Sequence, residues 1–395
     1  MSDESARSGL KPKTLMVHGG VHRSQFGETD EALFMTSGYV YTTAEEAESA
    51  FVNEGSRYVY SRFRNPTVAM FEDRLAAFEG APRCFGTATG MSAVFAALAC
   101  DLKVGDRIVA PYALFGSCLN IIRNILPNYG ATFTMVDGTN LDEWRKALST
   151  PARFVFLESP ANPCLDIVDI QAVSDLAHKA GALVVVDNVF ATPIFQKPFT
   201  LGADIVVYSA TKHIDGQGRS LGGAVLCSDA FAQKLHPFLR HTGPTMSPFN
   251  GWLLLKGLET LDLRVRAQSQ TAHEIARMLE ANPAIERIRY PGLESHPHHA
   301  LAKRQMGGFG NLITFDVKGG KEGAFAVLNR LKLILISNNL GDSKSLITHP
   351  ATTTHAKVPV EDKQRVGINP GTIRLSVGLE DAGDLTADLR EALSP

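Results

Sequence analysis

Lys212 lies in Tyr208-Ser-Ala-Thr-Lys-His-Ile-Asp-Gly216, just after the apolar run Asp204-Ile-Val-Val-Tyr208. Upstream, a second apolar run, Ala182-Leu-Val-Val-Val186, ends in Asp187. Each run reads as a buried strand, so a lysine and an aspartate leave neighbouring strands. That pair suits pyridoxal 5'-phosphate (PLP). The amine forms an imine with the cofactor aldehyde, and the carboxylate keeps a proton on the pyridine nitrogen. Most lysines are solvated surface residues, but this one lies between a buried strand and the glycines 216, 218, 222 and 223. Asp187 could cap a following helix, yet Asn188-Val-Phe-Ala-Thr-Pro193 does not read as one.

A phosphate needs backbone donors at a helix N-terminus. Thr87-Ala-Thr-Gly-Met-Ser-Ala-Val94 offers a turn at Gly90, then a helix through Ala93 to Leu98. By itself a glycine before a helix is a turn. Ser209 and Thr211 could add hydroxyls or could cap a strand end; their place beside Lys212 favours the phosphate. Arg374 lies in Thr372-Ile-Arg-Leu-Ser-Val377, where alternation puts it on a polar strand face with Thr372 and Ser376. There it either grips a carboxylate with two parallel hydrogen bonds or is simply solvated. His296, His298 and His299 are interrupted by Pro297 and lack a nearby carboxylate pair, so they read as a loop without metal.

The elements that position these residues are those of an α/β protein. Strands are expected at Arg107–Ala110, Thr132–Val136, Phe154–Leu157, Leu183–Val186, Ile205–Tyr208 and Ala224–Leu226. Helices between them, such as Ile170–Ala180 before Gly181, imply a mostly parallel sheet covered on both faces. In such sheets ligands bind at the carboxyl ends of the strands, where Glu158, Asp187 and Ser209 stand. Residues 1–60 read as an extended arm with a short acidic helix at Ala44–Phe51, and a further helix starts at Asn65-Pro66. We place the cofactor-binding domain at 61–255 and a smaller α/β domain at 256–395. A helix from Pro248 to about Ala281 bridges them, and the smaller domain contains strands at Leu312–Phe315 and Thr372–Val377 and a helix at Gly323–Leu331.

Composition sets bounds. The chain has 395 residues, 44% of them hydrophobic, and a net charge of −2, so neither nucleic acid nor an anionic membrane is an expected partner. Apolar runs are too short to span a bilayer, and the polar start Met1-Ser-Asp-Glu-Ser-Ala-Arg7 carries no secretory signal; the expected location is the cytoplasm. Five scattered cysteines, including Cys118 near the site, read as reduced and buried thiols.

Several motifs, from about Tyr58 onward, resemble the cystathionine γ-synthase family of Cys/Met-metabolism PLP enzymes. They are Tyr60-Ser-Arg-Phe-Arg-Asn-Pro-Thr67, Ala88-Thr-Gly-Met91, Glu158-Ser-Pro-Ala-Asn-Pro163, Asp187 to Pro193, Ser209-Ala-Thr-Lys212, His349-Pro-Ala351 and Ile373 to Asp381. The resemblance implies PLP fold type I, with a seven-stranded-type sheet, and a homotetramer built as a dimer of dimers. Tyr60 and Arg62 match residues that bind the phosphate of the neighbouring subunit. Gly90 and Met91 match its backbone donors, Asn162 the partner of the ring hydroxyl, and Arg374 the substrate-carboxylate clamp; Asn339 is a further candidate substrate-binding residue. Phe115 stands where many members carry tyrosine. It can stack on the pyridine ring but cannot exchange a proton, which leaves that task to Lys212. Within the family, Lys212–Arg219 and His241–Pro248 are most similar to the sulfhydrylase branch that takes succinyl substrates. The implied reaction is γ-replacement of O-succinyl-L-homoserine by sulfide, giving L-homocysteine and succinate in methionine biosynthesis. An O-acetylhomoserine sulfhydrylase, a cystathionine γ-synthase, a γ-lyase or a non-catalytic PLP-binding protein are the alternatives. A dinucleotide-binding protein is disfavoured, because no Gly-x-Gly-x-x-Gly follows a first strand.

Overall fold

The structure is a computed structural model and describes residues 10–53 and 57–394. The polar start at residues 1–7 and the outermost part of the expected arm therefore lie outside the described residues. Among the described residues the first seven strands are β1 (Arg83–Thr87), β2 (Arg107–Pro111), β3 (Thr132–Val136), β4 (Phe154–Glu158), β5 (Leu183–Asp187), β6 (Ile205–Tyr208) and β7 (Gly223–Cys227). They form one sheet of order β1-β7-β6-β5-β4-β2-β3. A second sheet, of order β10-β11-β12-β9-β8, is made of β8 (Ile285–Arg289), β9 (Leu312–Val317), β10 (Leu335–Ile336), β11 (Leu346–Thr348) and β12 (Thr372–Ser376). No helix among the described residues is long and apolar enough to cross a membrane.

The chain divides into two compact units. One holds the described residues up to Asp101 together with 208–215 and 219–260; the other holds 102–207, 216–218 and 261–394.

In the first unit, the predicted helix after Asn65 runs Pro66–Glu79, because Asn65 accepts from the amides of Thr67 and Val68 and Pro66 needs no acceptor. It ends at Gly80, whose φ of 81° suits glycine. The acidic helix of the arm is Ala44–Val52. Arg74 is fully buried and donates to the Gly19 carbonyl at 2.8 Å and to the Glu31 carboxylate, which ties the arm to the body. β1 pairs antiparallel with β7. Sequence reading misses β1, since Arg83-Cys-Phe-Gly-Thr87 has neither an apolar run nor an alternation.

In the second unit, β3, β2, β4, β5 and β6 pair in parallel. Every residue of β4 is buried, so both faces of the sheet are covered. The predicted helix Ile170–Lys179 is capped by Asp169 and followed by Gly181 at φ 74°. In the smaller sheet Ile313, Phe315, Ile373 and Leu375 pack with Leu385 and Leu389 of the helix Ala382–Leu393. Two local expectations change. The helix predicted from Gly323 begins at Gly320, and Gly323 sits inside it, where a Cβ would meet the Lys318 carbonyl oxygen at 2.0 Å. β12 is buried on both faces, so its polar face is interior and the solvated alternative for Arg374 is ruled out.

Candidate active site

Parallel pairing aligns Glu158 with Asp187 at the carboxyl ends of β4 and β5, so both side chains leave the same face of the sheet. Glu158 is a buried carboxylate at a turn. Its oxygens accept from the amide of Phe115 at 2.9 Å and of Asn162 at 2.8 Å. Its carboxyl is pushed well up by burial and then by Asp187. Asp187 accepts from the Val189 amide at 3.0 Å and is pushed up to about 6, mainly by burial. Two acidic groups held together in a dry setting form a site that a nearby cation would stabilise. Sequence reading placed Glu158 on this edge but gave it no role; here it shapes the turns of two predicted site residues.

Arg374 is 2% exposed. Register places it opposite Thr314 of β9, and both side chains reach the loop after β4. Thr314 donates to the Pro163 carbonyl at 2.5 Å, and Arg374 Nη1 donates to Asn162 Oδ1 at 3.0 Å. Its Nη2 donates to the carbonyls of Asn338 at 3.0 Å and Asn339 at 3.4 Å. Nε is buried without a hydrogen-bond partner. Burial lowers the guanidinium to about 10, and Glu158 opposes that shift. An arginine with one buried donor left over is prepared for an anion. The structure thus brings Arg374, Asn162 and Asn339 together, with Asn339 contributing a backbone carbonyl to the guanidinium.

In the first unit, the helix Gly90–Ala99 starts against Ser209. A Cβ on Gly90 would meet Ser209 Cβ at 2.6 Å and Ser209 Cα at 2.8 Å, so only glycine fits. Thr89 caps the helix by accepting from the Ser92 amide at 3.0 Å. Helix geometry leaves the amides of Gly90 and Met91 without intrahelical acceptors. The helix N-terminus thus lies against Ser209. The Thr211 hydroxyl accepts from the Gly222 amide at 3.0 Å and lies 3.2 Å from the Gly222 carbonyl, so it closes the glycine-rich loop. The Lys212 amide donates to the Ser209 carbonyl at 3.1 Å, in a turn that follows β6. Tyr60 and Arg62 lie on another turn: Tyr60 is 40% exposed, and Arg62 stacks on the rings of Tyr60 and Phe63 while donating to the Arg240 carbonyl.

The family model for Cys/Met metabolism PLP-dependent enzymes matches residues 13–394. The chain belongs to this family. It is 53% identical to O-succinylhomoserine sulfhydrylase of Mycobacterium tuberculosis over 100% of both chains. To the Pseudomonas aeruginosa protein of the same name it is 45% identical, over 99% of this chain and 97% of the other. Among solved structures, a Campylobacter jejuni protein assigned as an O-acetylhomoserine (thiol)-lyase superposes with a TM-score of 0.93 at 32% identity. It covers 97% of this chain and 100% of its own, and carries N'-pyridoxyl-lysine-5'-monophosphate.

The cofactor of this Cys/Met-metabolism enzyme is pyridoxal phosphate; two features of the structure fit that group, and a third fits an amino-acid substrate. The helix N-terminus at Gly90, where Ser209 admits no side chain, offers backbone amides that suit a phosphate. The raised carboxyl of Asp187 suits a protonated ring nitrogen. The buried Nε of Arg374 suits the carboxylate of an amino-acid substrate. The histidine cluster serves structure: His296 Nδ1 accepts from the His298 amide at 3.1 Å, and His298 Nδ1 from the Ile167 amide at 3.3 Å.

Proposed function

We propose that the enzyme replaces the succinyloxy group of O-succinyl-L-homoserine with sulfide, giving L-homocysteine and succinate. Identity of 53% over the full length of a protein named for that substrate carries this reading. Phe115 supports it, because a ring without a phenol at that position fits the succinyl-type sulfhydrylases that the motifs resemble.

When bound, pyridoxal phosphate supplies an electron sink for the α-carbon of the substrate. Lys212 is the amine that carries the cofactor, and its freed Nζ takes the α-proton and later returns it. The carboxylate of Asp187 keeps the ring nitrogen protonated. The amides of Gly90 and Met91 and the hydroxyl of Ser209 hold the phosphate, with Thr211 bracing the loop. Arg374, oriented by Asn162 and by the carbonyls of Asn338 and Asn339, grips the α-carboxylate and thereby aligns the γ-carbon. Phe115 stacks on the ring and, lacking a phenol, leaves proton movement to Lys212.

Tyr60 and Arg62 serve the phosphate of a neighbouring subunit in a homotetramer. Support comes from the arm, where Phe26 at 84%, Val40 at 89% and Val52 at 74% exposure lie bare in the single chain. A cytoplasmic location accords with five free cysteines, four of them buried.

A panel pairing O-succinyl-, O-acetyl- and O-phosphohomoserine with sulfide or cysteine tests the reading. The highest kcat/KM is expected for the succinyl ester with sulfide, with homocysteine as product. Preference for cysteine, or for another ester, would assign a different member activity.

A further inference from the structure

Glu158 ends β4, every residue of which is buried, and is itself 3% exposed. A carboxylate there gives up its hydration, so its oxygens must find donors within the protein. They find them on two separate segments. Oε2 accepts from the Phe115 amide at 2.9 Å, and Oε1 accepts from the Asn162 amide at 2.8 Å. Both bonds favour the charged form, against burial and Asp187, which push the carboxyl up. Phe115 opens the short helix Gly116–Asn120, and its carbonyl accepts from the amides of Cys118 at 2.9 Å and Leu119 at 3.1 Å. Its backbone is therefore held on both sides. Asn162 lies in the turn after β4, where the Ala161 carbonyl accepts from Leu165 at 2.7 Å and the Ala161 amide donates to Asp166 at 2.9 Å. The Asn162 side chain adds the next link, with Oδ1 accepting from Arg374 Nη1 at 3.0 Å. A run of hydrogen bonds thus leads from the Phe115 amide through Glu158 and Asn162 to the guanidinium of Arg374.

We infer that Glu158 is a positioning residue, a single carboxylate that sets the Phe115 ring and the Asn162–Arg374 pair at a fixed spacing. Its two acceptor oxygens explain why a carboxylate stands here. An amide side chain offers one acceptor and would turn its NH2 toward the other backbone N–H, while an apolar side chain offers none. Loss of Glu158 therefore disturbs the aromatic ring and the guanidinium together. In the enzyme this couples the stacking on the cofactor to the hold on the substrate carboxylate. That consequence rests on the roles proposed above for Phe115, Asn162 and Arg374.

Glu158→Gln keeps the volume and one acceptor; Glu158→Met keeps the length of the side chain and no acceptor. Amide hydrogen exchange in the cofactor-free protein reads the two bonds directly. Glu158→Met is expected to speed exchange at both Phe115 and Asn162 by about tenfold or more, and Glu158→Gln at one of the two, while central amides of β4 and β5 keep wild-type rates. In the holoenzyme Glu158→Met should shift the visible absorption band of the cofactor and raise KM for the amino acid about tenfold, with a smaller change in kcat. Unchanged exchange at both amides in Glu158→Met overturns the inference, as does acceleration spread evenly over the sheet, which would mark a role in stability alone. Should the variants fail to fold, the wild type still decides: its Phe115 and Asn162 amides must exchange at least about 100-fold more slowly than in an unstructured chain, and fast exchange overturns the inference. The exchange readout needs neither cofactor nor substrate, so it stands even where the proposed reaction fails. Locally faster exchange with an unchanged band and KM would overturn the coupling to the site.

Discussion

Arg374 uses both terminal nitrogens to hold Asn162 and the carbonyls of Asn338 and Asn339, and keeps Nε in reserve. Truncation to alanine removes the proposed clamp and its supports together. Losing one partner of a buried charged hydrogen bond costs about 2–5 kcal/mol, so Arg374→Ala should raise KM for the amino acid by about 30-fold or more. An unchanged KM in steady-state kinetics would remove Arg374 from substrate binding. Alternation in the sequence put this residue on a polar strand face, but could not say whether that face met water. Only the pairing of β12 with β9, and the loop that both reach, makes the face interior. Asp187 yields a pH prediction. In the folded cofactor-free protein its carboxyl titrates near 6, against 3.8 ordinarily, so the folded state holds a proton that the unfolded chain has already lost. Stability of that form therefore falls as pH rises from about 4 to about 6. Asp187→Asn relieves a penalty of up to about 3 kcal/mol at pH 7. By calorimetry the cofactor-free variant should melt above wild type at pH 7, with the gap closing near pH 4. In the holoenzyme the advantage should vanish, because the protonated ring nitrogen gives the carboxylate a counter-charge. A gap independent of pH would mean that Asp187 is not the group responsible.

The helix Gly90–Ala99 and the turn after β6 meet so closely that one methyl group decides the fit. Gly90→Ala must push Ser209 away or displace the helix N-terminus. Overpacking costs about 1–3 kcal/mol, which corresponds to roughly 5- to 150-fold weaker cofactor retention. Equilibrium dialysis against free pyridoxal phosphate measures it, and unaltered retention would dissociate Gly90 from the cradle. Elements with strong local signals were legible: six strand runs of the larger sheet, five of them paired in parallel, the Asn65-Pro66 helix start and the long helix from Pro248 each stand where periodicity and capping chemistry put them. β1 was not legible, because its stability comes from pairing with β7 rather than from its own apolar content. The start of the helix Gly320–Arg330 was misjudged since Gly323, which looks like a boundary, is required by the close Lys318 carbonyl.

At the scale of the molecule, large apolar side chains of the arm, including Phe26, Met35, Val40 and Phe51, are more than half exposed in the single chain. Burial of such surface by a second copy fits the proposed homotetramer, in which Tyr60 and Arg62 complete a neighbouring site. Specific activity should then fall on dilution in step with dissociation seen by sedimentation velocity; a fully active monomer would contradict the assembly. The proposed reaction as a whole depends on Lys212 carrying the cofactor. Borohydride reduction of the holoenzyme followed by peptide mass spectrometry tests this directly. The account predicts one pyridoxyl phosphate group, fixed to the ε-nitrogen of Lys212 in the peptide containing Ser209-Ala-Thr-Lys212. Reduction that leaves Lys212 unmodified, or that labels another lysine in its place, would contradict it.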